Sequence, residues 1–196
     1  MKIEPMTVAL EKSFTVEEYL QLERRSGERY AFYDGKIERM AGGTIAHNRI
    51  ARNLLGLLYN ITVRKPHLEV FASDQKIYLP EYRYYLYPDA VVVAGVPVET
   101  EAEASAIVNP LLIFEVFFPS TARTDQNIKF FEYQSIPSFQ EYVLLRQDQP
   151  AAIRFWREGP DLWRRFDTKG LEGDILLQSI EESLAMRAVY ERVELE

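Results

Sequence analysis

Two carboxylates set inside apolar runs constrain this chain more than any other feature. Asp89 follows Pro88 and heads the run Ala90-Val91-Val92-Val93, while Glu115 interrupts Leu111-Leu112-Ile113-Phe114 and Val116-Phe117. Short runs of β-branched and aromatic residues bounded by proline or glycine read as strands, and continuous apolar runs read as strands covered on both faces. A lone carboxylate in such a strand costs several kcal/mol unless it is paired, protonated or bound to a cation. Two of them on neighbouring strands also repel each other. A divalent cation between them relieves both costs.

A lysine completes the set. Thr124 or Asp125 is a suitable N-cap for a helix that carries Ile128 and Phe131 at helical spacing. Lys129 lies four residues after Asp125 and shares its face. If this helix leaves the Glu115 strand and folds back, Lys129 reaches the carboxylates. Aspartate, glutamate and lysine around a metal-bound water are the minimum set for hydrolysing a phosphodiester. Each residue alone has a plainer reading. Asp89 after Pro88 suits a turn, Glu115 suits a buried ion pair with an arginine or lysine, and Lys129 suits a surface pair with Asp125 or Glu132.

The pattern resembles the Uma2 family, formerly a domain of unknown function, within the PD-(D/E)XK nuclease superfamily. The matching residues are Pro88-Asp89, Glu115-Val116-Phe117 followed by Pro119-Ser120-Thr121, then Asp125, Lys129, Tyr133 and Glu141-Tyr142. Upstream, Asp34-Gly35-Lys36-Ile37-Glu38-Arg39-Met40 and His47 also fit, so the resemblance spans roughly residues 15–193. Phe117 stands at the third position of the E-x-K motif, and the resemblance moves that lysine onto the following helix, at Lys129. Phe118 stands where the family often has serine. The resemblance implies a restriction endonuclease-like core and a metal-dependent endonuclease acting on DNA. It implies Mg²⁺ or Mn²⁺ held by Asp89, Glu115 and the Val116 carbonyl. Lys129 would hold the attacking water, Glu38 would support this metal or a second one, and His47 would orient water or phosphate.

Composition narrows the alternatives. With no cysteine, disulfides, thiol catalysis and cysteine-ligated zinc are excluded. Residues 1–14 lack a continuous apolar segment of the secretory type, and no apolar run is long enough to span a membrane, so a cytoplasmic protein without a membrane partner is expected. The net charge of -7 counts against a nucleic-acid partner. That charge acts only over about 8 Å at physiological salt, and much of it falls at Glu99, Glu101, Glu103, Glu172, Asp174, Glu181 and Glu182, away from the proposed centre.

The 196 residues fit one domain, residues 1–196, with a core over about 28–145 and a hairpin and helix over 151–193. Thr15 and Glu18 form a capping box for a helix ending near Ser26-Gly27. Asp34-Gly35 turns a hairpin in which Glu38 faces away from Ile37. A helix over residues 45–63 buries Ile50, Leu54, Leu57, Leu58 and Ile61, with His47 pointing inward at its start. Residues 69–73 and 75–79 are short strands or one bent strand. Residues 95–109 are an acidic loop with room for a helical turn. Residues 139–145 form a buried strand, and the segments around Gly159-Pro160 a C-terminal hairpin. Residues 182–193 suit a closing helix on Leu184, Ala188 and Val189. This order predicts an α/β (α+β mixed) fold: a mixed β-sheet flanked by helices, with an N-terminal helix-hairpin and a C-terminal β-hairpin.

Two other functions compete. A nuclease fold that has lost catalysis would serve as a binding or assembly protein. A glycosidase would use Asp89 and Glu115 as its carboxylate pair, but Trp156 and Trp163 lie in the terminal hairpin rather than near the carboxylates. Cutting both strands of a duplex with one site per chain makes a symmetric homodimer the default.

Overall fold

The computed structural model describes residues 12–40, 42–102, 105–117 and 122–195, with backbone only for 122–127. Helix α1 (Val16–Ser26) opens on the expected capping box: Thr15 accepts from the Glu18 amide and Glu18 returns the bond. Gly27 closes it with φ 67°, a left-handed conformation that glycine adopts without steric cost. The hairpin β1 (Tyr30–Tyr33) and β2 (Lys36–Arg39) turns at Asp34-Gly35. Helix α2 (Ile45–Arg64) follows, with Ile50, Leu54, Leu58 and Ile61 buried along one stripe. Strands β3 (Leu68–Ala72), β4 (Lys76–Leu79), β5 (Tyr84–Leu86) and β6 (Ala90–Ala94) lead to the short β7 (Ala106–Ile107) and to β8 (Leu112–Phe117).

Helix α3 (Ala122–Tyr133) connects β8 to β9 (Glu141–Arg146), and the long hairpin β10 (Ala151–Gly159) and β11 (Leu162–Lys169) follows. A two-stranded ribbon, β12 (Asp174–Leu177) and β13 (Glu182–Ala185), leads into the single turn α4 (Met186–Val189).

A six-stranded sheet in the order β11-β10-β9-β8-β6-β3 forms the centre of the molecule. It is mixed: β8 and β9 run parallel and the other neighbours antiparallel. A parallel pair needs a crossover, and α3 supplies it. A second sheet, β2-β1-β5-β4-β7, gathers the N-terminal hairpin and the tyrosine-rich segment. Tyr33 packs edge-on against Tyr84 at 5.0 Å, and Tyr78 stacks on Tyr85 at 4.5 Å, so cross-strand packing accounts for much of the tyrosine run.

Alternation along the strands sorts the central side chains between two cores. Ala90, Val92, Leu112, Phe114 and Val116 pack with Ile50, Leu54 and Leu58 of α2. Val91, Val93, Ile113 and Leu144 pack on the other face with Tyr133 and Phe139. Period-two alternation therefore carries Asp89 and Glu115 to the second face together.

The expected mixed β-sheet flanked by helices is present, joined by a second sheet, and residues 69–79 form the two short strands of the alternatives, β3 and β4, one in each sheet. Three expectations change. Thr124 and Asp125 lie inside the first turn of α3 instead of capping it, because the helix starts at Ala122. In the loop over residues 95–109 the described residues form no helical turn; β7 pairs parallel to β4. The closing helix is absent: Glu182–Ala185 pairs with β12, and only Met186–Val189 is helical. Leu184 and Val189 are buried as expected, but from a strand and a single turn. Phe118, Pro119, Ser120 and Thr121 lie outside the described residues.

Candidate active site

The β6–β8 ladder ends at the pair Ala90–Phe114. One step further along an antiparallel register stand Asp89 and Glu115, facing each other on the same side of the sheet. There the ladder gives way to a side chain. The Val116 amide donates to Asp89 Oδ2 at 2.7 Å. Asp89 Oδ1 lies 3.2 Å from His47 Nε2. Glu115 Oε1 accepts from Lys129 Nζ at 3.1 Å and from the Tyr133 hydroxyl at 3.3 Å. Lys129 and Tyr133 are four residues apart on α3, so one helix face delivers both groups to one oxygen.

The start of α2 places His47. Thr44 caps the helix by accepting from the His47 amide at 3.1 Å, and its hydroxyl donates to Gln147 Oε1 at 2.6 Å, beyond the end of β9. Gly43 makes the close approach possible. A Cβ there would stand 2.6 Å from His47 Nδ1. That nitrogen is enclosed and has no hydrogen-bond partner among the described residues.

Asp89, Glu115, Val116, His47 and Lys129 line a cavity of about 640 Å³, together with Arg29, Arg39, Asn48 and Gln147. The side chains of Asp89 and Glu115 are only 14% and 13% exposed. Burial pushes the Glu115 carboxyl up, Lys129 pulls it down, and the charge of Asp89 pushes it up again, with a net upward shift. Burial alone would pull the Lys129 ammonium down, but the charge and hydrogen bond of Glu115, together with Tyr33 and the charge of Asp89, outweigh it and keep the amine protonated. His47 is raised above its usual 6.5, chiefly by its hydrogen bond to Asp89 and against the effect of burial. Lys129 and, when protonated, His47 thus face two carboxylates, and the Glu115 carboxyl is still shifted upward.

The structure brings together four of the expected residues, Asp89, Glu115, Lys129 and His47, with Val116 beside them. It does not bring Glu38 to them. Glu38 is exposed on β2 and lines a neighbouring cavity with Lys129 and Glu132. Among the described residues no three His, Asp or Glu side chains form a metal-holding group. The donors that fit a cation are therefore two carboxylates, main-chain carbonyl and water, a hard-oxygen set suited to Mg²⁺ or Mn²⁺. The plain ion-pair reading of Glu115 is realised in part, since Lys129 pairs with it. That pair does not include Asp89, whose partners are the Val116 amide and His47.

Tyr133, Thr44, Gly43 and Gln147 are the members that residue-by-residue reading missed. Only Tyr133 left a signal, its spacing of four from Lys129. The glycosidase reading loses its remaining support, because neither tryptophan lines the cavity. Trp163 instead packs on Phe130 and Phe139 at 5.0 and 5.3 Å.

Comparison with known proteins places this geometry. A solved nuclease-fold protein from Anabaena variabilis, titled a "putative nuclease belonging to DUF820", superposes with a TM-score of 0.72 over 90% of this chain and 97% of its own, at 13% identity. Two Synechocystis proteins, "Uncharacterized protein sll1609" and "Uncharacterized protein slr1290", are 36% and 30% identical over 170 and 179 residues. The matches cover 87% and 89% of this chain and 96% and 90% of those proteins. The family model described as "Putative restriction endonuclease" matches residues 16–187. With the model spanning most of the chain, and with this fold, the chain belongs to the Uma2 family.

Proposed function

We propose that this protein is a metal-dependent endonuclease that hydrolyses phosphodiester bonds in DNA. The observation that carries the reading is the opposition of Asp89 and Glu115 on one sheet face with Lys129 bonded to Glu115. Asp89 and Glu115 would hold Mg²⁺ or Mn²⁺ with the Val116 carbonyl. In an extended strand the N–H and C=O of one residue point to the same side. The Val116 N–H is turned to Asp89, while the Phe117 carbonyl is turned the other way, to the Gln147 amide. When bound, the ion supplies an activated water and Lewis-acid polarisation of the phosphate.

The chain's own groups do the rest. Lys129 holds Glu115 in place and offers positive charge to the phosphate oxygens as negative charge builds on them. His47 keeps Asp89 turned toward Glu115, and when protonated it can donate to a water or a phosphate oxygen. The partial burial of both carboxylates strengthens every interaction among these charges. Glu38 is left out of the ion's ligands. Cutting both strands would call for two copies of the chain, as a homodimer. A cytoplasmic location agrees with the sequence, and no helix among the described residues is long and apolar enough to cross a membrane.

A second reading, a nuclease fold used only for binding, is favoured by the net charge of -7 and by the pairing of the cavity's two arginines. Arg29 and Arg39 are already paired with Asp74 and Glu28. Supercoiled plasmid with Mg²⁺ or Mn²⁺ separates the two. The nuclease reading expects nicking that EDTA abolishes and that falls about 100-fold or more in Lys129→Ala. No cleavage of plasmid, single-stranded DNA or RNA with either ion would overturn it.

A further inference from the structure

The carboxylate cavity does not end at Lys129. Lys129, Arg39, Met40 and Tyr87 also line a second cavity of about 320 Å³. Its walls are mostly apolar or aromatic, with Leu86, Ile128 and Tyr33 among them. Its volume lies at the lower end of the range for small-molecule sites, about 300–1,000 Å³, and suits one nucleotide unit rather than several.

One polar group in this cavity has no explanation in the fold. Glu132 is only 7% exposed, and its Oε2 has no hydrogen-bond partner among the described residues. Lys129, one turn earlier on α3, is bonded to Glu115 instead. An enclosed carboxylate oxygen without a donor costs about 1–3 kcal/mol, and such an atom needs a reason to be kept. A cation is a poorer match here than at Asp89 and Glu115, because Glu38 is exposed on β2 and leaves Glu132 as the one buried carboxylate in the lining. A flat molecule with N–H donors on its edge is a good match. It would lie against the tyrosine and aliphatic walls and give its donors to the carboxylate.

We propose that this second cavity takes an unpaired guanine base next to the scissile phosphate, read by Glu132. The proposal rests on the phosphodiester chemistry proposed for the adjoining cavity. Guanine is selected because its Watson–Crick edge places two N–H donors side by side, the arrangement that a carboxylate accepts. Adenine and cytosine each offer one amino group beside an acceptor, and thymine one N–H between two carbonyls. The edge is reachable only in single-stranded or flipped-out nucleic acid, so the site favours unpaired over duplex substrate at that position.

The test is binding without catalysis. The four 5′-deoxynucleoside monophosphates are titrated in EDTA into ¹⁵N-labelled wild type and Glu132→Gln, followed by amide shifts. Glu132→Gln keeps side-chain size, and the amide spectrum itself reports whether it is folded. The expected result is that dGMP binds more tightly than the other three, with shifts at β2, β5 and α3, and that Glu132→Gln weakens dGMP about tenfold while leaving the others unchanged. Equal binding of all four, no binding of any, or a dGMP preference that survives in Glu132→Gln would overturn the proposal. Shifts around Glu132 produced by Mn²⁺, in buffer without EDTA, when no nucleotide produces them would mark a cation site and overturn it as well. Because the assay needs no cleavage, a failed plasmid assay would sink the nuclease reading and leave this result standing by itself.

Discussion

Asp89 and Glu115 face each other one step beyond the last β6–β8 pair, and the Val116 amide that a continuing ladder would have used is turned onto Asp89 Oδ2. The sheet gives up a strand–strand bond at this point to hold a carboxylate. Lys129 is the only ammonium bonded to the pair among the described residues. Its removal should therefore expose the repulsion. Lys129→Met is expected to destabilise the metal-free protein by about 3 kcal/mol, toward the lower end for breaking a buried pair, because the lysine side chain is 26% exposed. Urea denaturation with and without Mn²⁺ checks this. The ion should restore part of the loss, and an unchanged midpoint in Lys129→Met would remove the lysine from the account.

Gly43 is expected to tolerate no side chain. A Cβ 2.6 Å from His47 Nδ1 must push the imidazole away from Asp89 or shift the start of α2. Gly43→Ala should cost about 1–3 kcal/mol and displace the His47 ring resonances. Gly56, with open space around it on the outer face of α2, is the control. There Gly→Ala should be neutral or stabilising by up to about 1 kcal/mol.

The imidazole also gives a pH dependence. His47 is raised above 6.5 in the metal-free protein by its bond to Asp89. A group raised on folding adds stability that is full below its unfolded value, about 6.5, and fades as pH rises through the folded value. Proton NMR of metal-free protein should find His47 titrating above 6.5, and Asp89→Asn should bring it back down. Stability of the metal-free wild type should fall more than that of Asp89→Asn as pH rises from 6 to above the His47 midpoint.

At the far end of the central sheet, Glu141 is wholly buried and holds the C-terminal segment. It accepts from Arg154 Nη1 at 2.8 Å, from the Gln178 and Ser179 amides at 3.2 and 3.1 Å, and from the Ser179 hydroxyl at 2.7 Å. Arg154→Leu should cost about 3–5 kcal/mol, because it leaves that carboxylate uncompensated. The β12–β13 ribbon should then be cut first in limited proteolysis, whereas cleavage elsewhere would show that the network does not tether it.

Much of this was legible in the residues, for identifiable reasons. The apolar runs marked Asp89 and Glu115 as carboxylates on neighbouring strands, and the helical spacing after Asp125 brought Lys129 toward them, whereas Tyr133 entered only through the family resemblance. Thr15 and Glu18 marked a helix start with local chemistry alone. The closing helix failed because Leu184, Ala188 and Val189 also fit a strand followed by one turn, and pairing with β12 decided between them. Glu38 failed for a different reason. Its alternation with Ile37 was read correctly, but strand order places its hairpin in the second sheet, beside Lys129 and away from Asp89. Strand order depends on long-range pairing, and neither periodicity nor capping encodes it.

Calorimetric titration of Mn²⁺ into wild type and Glu115→Gln decides whether Asp89 and Glu115 form a cation site. The substitution keeps the size of the side chain and removes its charge. Mn²⁺ is expected to bind wild type, and the binding to be lost or weakened at least tenfold in Glu115→Gln. Equal binding by the two proteins, or none by wild type even with a non-cleavable phosphodiester present, would contradict it.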